Sequence, residues 1–521
     1  MADIISQINS YINNIVWGMP ALTLLIGTGI LLTILTKGFQ FTHFGYAMRT
    51  IFGNMRHKKI SDNNLRQNCR QDSGQHVTSP GKSFQNQNPQ TKSISQFQAL
   101  CTALSGTIGT GNISGIAYAI TMGGPGAIFW MWIAAMFGMI TGFAEKVLGI
   151  YYRHRNADGE WCGGAMYYLQ DGLGSRKGCK TLGKILAALF SFFTVFASFG
   201  IGNLGQVASI RESVLSITSF TGNARIDAFL IGICVAVIAA FVTLGGLNRI
   251  AKTNETLVPF MACFYIVGTV IIIGMHAEQI LPAFAAIFRH AFSFKAMTGG
   301  VCGAFIKQAV TCGFKRGVFS NEAGMGSSVI VHATSDTTEP VVQGFWGIFE
   351  VFFDTIVLCT LTALLILTSG VVDLSTGAPL VSGSAFALAT SAFTSSFGVT
   401  GGIFMTMAIT LFAVATVLGW SYYGTKAWEY LFGTRSATIY KYIYIAVILL
   451  GCTLNVDLII DLSDTFNGLM AIPNLIGVIA LSDTVVSILN NYKRRVIYAE
   501  KSLTPMLSYF PDIQSEQMRH M

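Results

Sequence analysis

The chain is poor in charge and in organised cysteine and histidine. Asp, Glu, Lys and Arg make up 11% of its 521 residues, against roughly 25% in a soluble globular protein. With 52% hydrophobic residues, this shortage excludes a soluble globular domain and indicates a polytopic membrane protein. The ten cysteines include no C-x-x-C pair, and the eight histidines show no metal-ligand spacing. We therefore expect neither a disulfide framework nor a zinc site.

Signals of other membrane-protein classes are also missing from the sequence. It has no Ser/His/Asp set, metal cluster or phosphate-binding loop, so an enzyme is not expected. It has no ring of charged residues or repeated filter motif, so a channel is less favoured than a carrier. No A-x-A cleavage site follows the first apolar run, which predicts that residues 15–36 stay as a helix.

Apolar runs of membrane-spanning length dominate the chain. A spanning helix needs about 20 apolar residues. Eleven runs meet this requirement: 15–36, 97–121, 126–152, 183–209, 226–247, 254–275, 298–331, 341–369, 400–422, 438–456 and 465–490. The predicted fold class is an all-α polytopic membrane protein with eleven transmembrane helices. Residues 58–95 are polar and nearly free of aromatics, which predicts a mobile cytoplasmic loop.

Lysine and arginine are distributed unevenly among the segments between these spans. With residue 1 outside, the inside segments hold 25 of them and the outside segments hold four. The positive-inside rule therefore predicts an outer N-terminus and a cytoplasmic C-terminus. The expected location is the plasma (inner) membrane.

Two membrane-length runs are interrupted by the same pattern, S-x-x-x-G-x-G. The first occurrence is Ser105–Gly111 and the second is Ser320–Gly326, 215 residues later. Closely spaced glycines weaken a helix, so each span is predicted to unwind there. The two broken spans enter from opposite sides, and other spans match at the same offset. This indicates one N-terminal helix plus a 5+5 inverted repeat with a broken first helix in each repeat, which is typical of secondary transporters.

The repeat also sets the predicted domain boundaries. The parts are an N-terminal helix with a polar loop (1–96), a first five-helix repeat (97–275), an extracellular helix with the second repeat (276–490) and a cytoplasmic tail (491–521). Two short helices are expected to lie beside the bundle, at 163–174 inside and at 276–297 outside.

A broken helix offers backbone groups that can bind a zwitterion and a cation. Its new N-terminal end attracts a carboxylate, and its new C-terminal end coordinates a cation. Few charges and many neutral oxygens suit Na⁺ better than Ca²⁺ or Mg²⁺. The side chains near the breaks that carry such oxygens are Ser105, Thr107, Asn112 and Ser320. The alternative interpretation is that the glycines only permit close helix packing.

The second break carries an ionisable residue, Glu322, which the first break lacks. A charged group at membrane depth is a functional hypothesis by default. Glu322 is interpreted either as a cap or ion pair for the following half-helix, or as a group that handles a substrate amine or a proton. Lys315 and Arg316, about two turns earlier, are predicted to face it or the cavity.

Polar residues elsewhere in the spans have plainer interpretations. Glu145, at the inner end of its span, is interpreted as a gate or as one member of a structural ion pair. Asp354 and Asp483 are interpreted as packing residues. In a five-plus-five bundle Thr416 and Trp420 would face the first break, Thr416 offering a hydroxyl to an ion and Trp420 walling the pocket. Both are as often ordinary packing residues.

One stretch of sequence is similar to the signature of a known family. Residues 123–133 read G-G-P-G-A-I-F-W-M-W-I, which resembles the G-G-x-G-A-[LIVM]-F-W-M-W signature of the alanine or glycine:cation symporter family. The other blocks that resemble this family lie at 97–100, 109–113, 320–324 and 418–424. The resemblance implies a leucine-transporter-like fold and Na⁺-coupled, sometimes H⁺-coupled, uptake of alanine or glycine. It implies no cofactor other than the coupling ion.

The resemblance also implies roles for individual residues. The ion shared across the fold would be held by the carbonyls of Ser105 and Ile108 and the hydroxyl of Thr416, and a second ion by Asn112 and Ser320. The implied substrate-binding residues are Gly109, Thr110, Gly111, Asn112, Asn321, Glu322, Gly324 and Trp420. Ser105 and Gly106 stand where alanine-like residues are common in the family, which leaves the number of ions open.

The expected partners are a small neutral amino acid, Na⁺ and the lipid bilayer, and no nucleic acid is expected. The alternatives within the transporter class are a proton-coupled or a glutamine-preferring symporter. The alternative from another class is an ion channel. The sequence leaves the oligomeric state open, and a monomer is compatible with it.

Overall fold

The computed structural model describes residues 2–53, 93–157, 159–292, 302–381, 383, 385–452, 456–500 and 502–519. Helices account for most of these residues. Two short strands, β1 (His154–Arg155) and β2 (Trp161–Cys162), pair as an antiparallel hairpin. The predicted loop at 58–95 lies outside the described residues, except for its last three positions.

The first half of the chain forms helices that follow the predicted spans. They are α1 (Ala2–Val16), α2 (Met19–Leu35), α3 (Phe39–Thr42), α4 (Gln96–Thr107), α5 (Ser114–Gly123), α6 (Gly126–Tyr151), α7 (Ala165–Tyr167), α8 (Lys180–Phe199), α9 (Gly205–Ile217), α10 (Ala224–Thr243), α11 (Gly246–Met275) and α12 (Ile280–Ala291). A short 3₁₀ turn, Thr110–Asn112, lies between α4 and α5, and the π-helical turn Gly200–Leu204 joins α8 to α9. The helices predicted near 163–174 and 276–297 are both present.

The second half of the chain also forms helices that follow the predicted spans. Its helices are α13 (Cys302–Asn321), α14 (Val329–His332), α15 (Pro340–Val351), α16 (Thr360–Thr368), α17 (Ala385–Phe432), α18 (Ala437–Gly451), α19 (Val456–Ala480), α20 (Ser482–Tyr492) and α21 (Pro511–Arg519). The π-helical segment Phe352–Cys359 joins α15 to α16. The long α17 is two helices that meet at a kink at Gly398, whose φ is +54°.

Seven helices in the described part of the chain are long and apolar enough to cross a bilayer. The number is eight if Leu462–Ala480 and Ser482–Ile497, which meet at 57°, form one span. The α-helical membrane fold is confirmed, whereas the count of eleven spans stays a prediction. The halves of the first broken helix, α4 and α5, have 12 and 10 residues and are too short for a span. In the second broken helix α13 has 20 residues, but Lys307, Lys315 and Arg316 make it too polar to count.

Both predicted helix breaks are confirmed. The first broken helix starts with a capping box, in which Ser95 and Gln98 each accept a hydrogen bond from the other's backbone N–H. This helix stops at Thr107 and resumes at Ser114. The second stops at Asn321 and resumes at Val329. In each repeat the next long helix starts shortly afterwards, α6 at Gly126 and α15 at Pro340.

The predicted first span at 15–36 corresponds to one apolar, membrane-length stretch in the structure, Gln7–Leu35, which starts earlier than predicted. It includes the end of α1 and all of α2, with a bend at Gly18 and Pro20 in the first turn of α2. Trp17, at this bend, is buried and donates its indole N–H to the carbonyl of Asp464 over 2.8 Å. The N-terminal helices are thereby packed against α19 of the second repeat.

Candidate functional site

The two helix breaks meet at a cluster of three buried side chains, Asn112, Ser320 and Asp354. The Asn112 amide donates to the Ser320 hydroxyl over 3.0 Å and to Oδ1 of Asp354 over 2.6 Å. Ser320 donates to Oδ2 of Asp354 over 2.7 Å. Each of these residues is at most 2% exposed. The cluster therefore links the first break, the second break and the π-helical segment.

Asp354 was interpreted from the sequence as a residue held by polar bonds within the helix packing, and the structure shows which bonds these are. Its carboxylate accepts hydrogen bonds from both breaks and from the Thr355 hydroxyl at 2.9 Å. In the part of the chain that the structure describes, no basic side chain forms an ion pair with it. A buried carboxylate without a positive partner is strongly unfavourable. The position is suited to a bound cation or a proton.

The first break is held by side-chain amides. Oδ1 of Asn112 accepts the backbone N–H of Gly109 at 3.0 Å. The N–H and hydroxyl of Thr110 reach Oε1 of Gln206 at 3.4 and 3.1 Å. Gln206 was not a candidate from the sequence. The signal that could have found it is the glycine-rich stretch just before it, which forms the π-helical turn Gly200–Leu204.

The carbonyls at the end of α4 are the predicted ligands of the shared ion. Those of Leu104, Gly106 and Thr107 accept hydrogen bonds from Ile108, Trp420 and Gly109, respectively. Among the described residues, no such donor reaches the carbonyls of Ser105 and Ile108. These are the two carbonyls proposed as ion ligands, and both residues are fully buried.

The ninth predicted span, within α17, lies directly against this break. A Cβ on Gly109 would be 2.7 Å from Oγ1 of Thr416, so Gly109 permits the hydroxyl to approach the backbone. Trp420 donates its indole N–H to the carbonyl of Gly106 over 3.3 Å. The structure thus places Thr416 and Trp420 where the sequence predicted them, and their roles in binding stay predictions.

Glu322 lies in the second break and had two sequence interpretations, a cap or ion pair and a group that handles a substrate amine or a proton. Its carboxylate accepts a hydrogen bond from the Ser327 hydroxyl, just before α14, and its φ is +54°. Lys315 and Arg316 pair with Asp464 of α19, at 2.8 and 3.5 Å, and not with Glu322 in the part of the chain that the structure describes. That they face the cavity stays a prediction. The Ser327 bond joins two side chains and does not cap a backbone N–H of α14, so both the cap and the substrate or proton roles of Glu322 stay predictions.

The other predicted residues of the second break have different surroundings. Asn321 donates to the Thr355 hydroxyl over 3.0 Å and accepts the backbone N–H of Ala323 at 2.9 Å. Gly324, with a φ of +89°, lies against apolar side chains, because a Cβ there would be 2.7 Å from Cδ2 of Leu25. Asn321 is therefore tied to the central cluster, whereas Gly324 is surrounded by packing contacts.

Two further carboxylates were also interpreted from the sequence. Asp483 lies at the start of α20 and is not a packing residue. Its side chain is 67% exposed and pairs with Arg176. Glu145 belongs to a buried ion-pair network with Lys146, as one of its interpretations expected.

Comparison with known proteins agrees with this architecture. Residues 2–66 and 75–504 match the model of the sodium:alanine symporter family. The sodium/alanine symporter AgcS of Methanococcus maripaludis is 42% identical over 491 residues, which cover 93% of this chain and 96% of AgcS. The probable sodium/glutamine symporter GlnT of Bacillus subtilis is 36% identical over 77% of this chain and 79% of its own length.

The solved structure of MhsT in complex with L-phenylalanine has the same fold. Its TM-score is 0.50 at 12% identity, and the match covers 77% of this chain and 99% of MhsT. The leucine-transporter-like fold with a broken first helix in each repeat is thereby confirmed. The chain belongs to the sodium:alanine symporter family of multi-pass membrane transporters.

Proposed function

We propose that this protein is a secondary active transporter that couples Na⁺ entry to the uptake of a small neutral amino acid, alanine or glycine. It works by alternating access in the plasma membrane, with its N-terminus outside and its C-terminus in the cytoplasm. The family and the similarity to AgcS support Na⁺-coupled amino-acid symport.

The observation that carries the proposal is the buried carboxylate of Asp354. Asn112 and Ser320 bring neutral groups from both breaks to this carboxylate. One Na⁺ beside Asp354 would neutralise its charge. The Ser320 hydroxyl and the Asp354 carboxylate supply oxygens that suit such a hard cation, whereas Asn112 would have to turn its Oδ1, now bonded to the N–H of Gly109, toward the ion. Because Asn112 and Ser320 belong to different repeats, ion binding favours the state in which the two breaks are in contact.

A second Na⁺ is proposed at the end of α4. The carbonyls of Ser105 and Ile108 and the hydroxyl of Thr416 are its ligands. The C-terminal end of a half-helix carries partial negative charge, which favours a cation. The close approach of Thr416 to Gly109 supports this assignment.

The substrate is proposed to bind beside the unwound backbone between Gly109 and Asn112. The start of α5 attracts the substrate carboxylate, as helix N-termini do. A Cβ on Gly111 would be in ordinary van der Waals contact with the ring of Phe319, at 3.8 Å, so a methyl group fits there and a longer side chain would meet the ring. The proposed site is bounded by this ring, which favours a substrate with a small side chain. Asn321 and Glu322 of the second break and Trp420 complete the proposed surroundings, and Gly324 lies behind them.

The direct test is uptake of radiolabelled alanine into proteoliposomes. An inward Na⁺ gradient is expected to stimulate uptake over a K⁺ control. Asp354→Asn, which keeps the shape and removes the charge, should raise the Na⁺ concentration for half-maximal uptake at least about tenfold. The matched control is Asp373→Asn, because Asp373 lies in an exposed loop. Uptake that ignores both Na⁺ and pH gradients would contradict the proposed function.

A glutamine-preferring symporter is the second candidate, because the similarity to GlnT covers more than three quarters of this chain. Competition of labelled alanine uptake by unlabelled glycine, alanine and glutamine separates the two candidates. Stronger inhibition by glutamine than by glycine would favour the second candidate. The confined space beside Phe319 predicts the opposite order.

A further inference from the structure

A second group of buried ionisable side chains lies beside the second break and includes none of the proposed Na⁺ ligands. It consists of Glu145 and Lys146 on α6, His332 on α14 and Glu350 on α15. Each of these four residues is at most 1% exposed. We call this group the Glu145 cluster. It connects the second helix of each repeat to the second half of the broken helix.

Lys146 carries the positive charge of the cluster and lies closer to Glu350 than to Glu145. Lys146 is 2.9 Å from Oε2 of Glu350 and donates to the Ser328 hydroxyl over 2.7 Å. It is 3.8 Å from Oε2 of Glu145. The Gln343 amide lies 2.5 Å from Nδ1 of His332. With the amide nitrogen of Gln343 as the donor of this bond, Nδ1 accepts, and the imidazole is assigned as neutral with its proton on Nε2, 3.4 Å from Oε2 of Glu350.

Glu145 is therefore the carboxylate in excess. Its Oε1 accepts the backbone N–H of Gly326 at 3.0 Å and the Asn474 amide at 2.6 Å. Oε2 of Glu145 is fully buried and has no hydrogen-bond partner among the described residues. The same is true of Oε1 of Glu350. An ionised carboxylate oxygen without a donor is strongly unfavourable in such a position.

The neighbouring groups do not supply the missing positive charge. Glu322 approaches the cluster from the second break, and the Asp354 carboxylate approaches from the π-helical segment. The Tyr168 hydroxyl donates to Asn474, beside Glu145, and Tyr423 of α17 lies within electrostatic range of Glu350. These groups are acidic or neutral. The described His, Cys, Asp and Glu side chains are not arranged to hold a metal ion.

We propose that Glu145 binds one exchangeable proton at Oε2, which makes transport by this protein dependent on pH. Proton binding converts the carboxylate into a neutral carboxylic acid and leaves Lys146 with Glu350. Proton release to water restores the charge, which then attracts Lys146 and strengthens the hydrogen bond from Gly326, because bonds to ionised groups are the stronger ones. The proton thereby regulates the conformation of the second break. This inference rests on the proposed symport.

The first experiment measures Na⁺-driven alanine uptake at the same pH on both sides of the membrane, from about pH 5.5 to 8.5. Uptake by the unmodified protein should change at least about threefold across this range. In Glu145→Gln, which cannot ionise, the change should disappear. Glu500→Gln, at an exposed carboxylate paired with Arg494, should keep the full response. Na⁺-stimulated uptake that is independent of pH overturns the proton site and leaves the symport intact.

The second experiment does not depend on transport or on the variant's activity. Infrared difference spectra of the purified protein at low and high pH should contain the C=O stretch of a buried carboxylic acid. This band should be missing in Glu145→Gln and present in Glu500→Gln. If Glu145→Gln does not fold, Glu145→Asp should shift the pH at which the band appears. An unmodified protein with no such band overturns the proposal, even if alanine uptake fails.

Discussion

The side-chain amide of Asn112 donates a hydrogen bond to the hydroxyl of Ser320 over 3.0 Å, across 208 residues of chain. Each residue belongs to one of the two helix breaks. The bond therefore connects the two repeats at the point where both helices are unwound. Asn112 also holds its own break, because its Oδ1 accepts the N–H of Gly109.

Removal of the Asn112 amide should abolish transport without preventing membrane insertion. Asn112→Ala loses its bonds to Gly109, Ser320 and Asp354, and it leaves a buried carboxylate with fewer donors. We expect alanine uptake to fall at least about tenfold, equivalent to about 1.4 kcal/mol. Asn223→Ala is the control, because Asn223 caps α10 far along the chain from the breaks. Normal uptake by Asn112→Ala would mean that the breaks are packing features.

The two glycines of the first break should differ in their tolerance of a methyl group. A Cβ at position 109 would be 2.7 Å from the Thr416 hydroxyl, whereas at position 111 the nearest side-chain atom is 3.8 Å away. Gly109→Ala is therefore expected to reduce uptake and the apparent affinity for Na⁺, and Gly111→Ala should retain most uptake. Gly111→Leu, which exceeds the space beside Phe319, should abolish it. Equal effects of the two alanine substitutions would contradict the assignment of Thr416.

Lys146 should be required for stability. Lys146→Met leaves Glu350 buried and unpaired, and the expected loss is about 3–5 kcal/mol. The double variant Lys146→Met/Glu350→Gln should recover part of this loss, because it removes both charges. Thermal unfolding in detergent, followed by size-exclusion chromatography, provides the measurement. A double variant less stable than the single one would argue against a paired role.

Glu322 should contribute to stability through its bond to Ser327 and not to the pH dependence. Glu322→Gln still presents an oxygen to the Ser327 hydroxyl, so this side-chain hydrogen bond within the second break is preserved. Ser327→Ala removes the bond and should lower the stability by about 1 kcal/mol. The pH midpoint of uptake should be the same in Glu322→Gln and in the unmodified protein. A shifted midpoint would indicate that Glu322 handles a proton.

The positions of the breaks could be predicted from the sequence because glycine acts locally on helix stability. Thr416 and Trp420 could be placed against the first break because the ninth span is expected to face the broken second span in a five-plus-five bundle. The domain boundaries rest on the repeat and the membrane orientation rests on charge counts, and both stay predictions. The structure adds the contacts that determine which oxygen accepts from which donor.

Contacts between residues far apart in the chain could not be predicted from the sequence. Polar bonds were expected for Asp354, but the sequence did not show that their donors come from both breaks, because the π-helical segment Phe352–Cys359 departs from the regular helical period. Lys315 and Arg316 were assigned to Glu322 because it is near in sequence. Their partner, Asp464, lies about 150 residues later on a helix with no sequence link to them.

The partnership between α13 and Asp464 also has a consequence for biosynthesis. During translation Lys315 and Arg316 reach the translocon long before the segment with Asp464 has been made. A lysine or arginine at the centre of a helix opposes insertion by roughly 2.5–3.5 kcal/mol. The second broken helix is therefore expected to enter the bilayer stably only after the last helices emerge. The order of synthesis and the order of assembly of this transporter then differ.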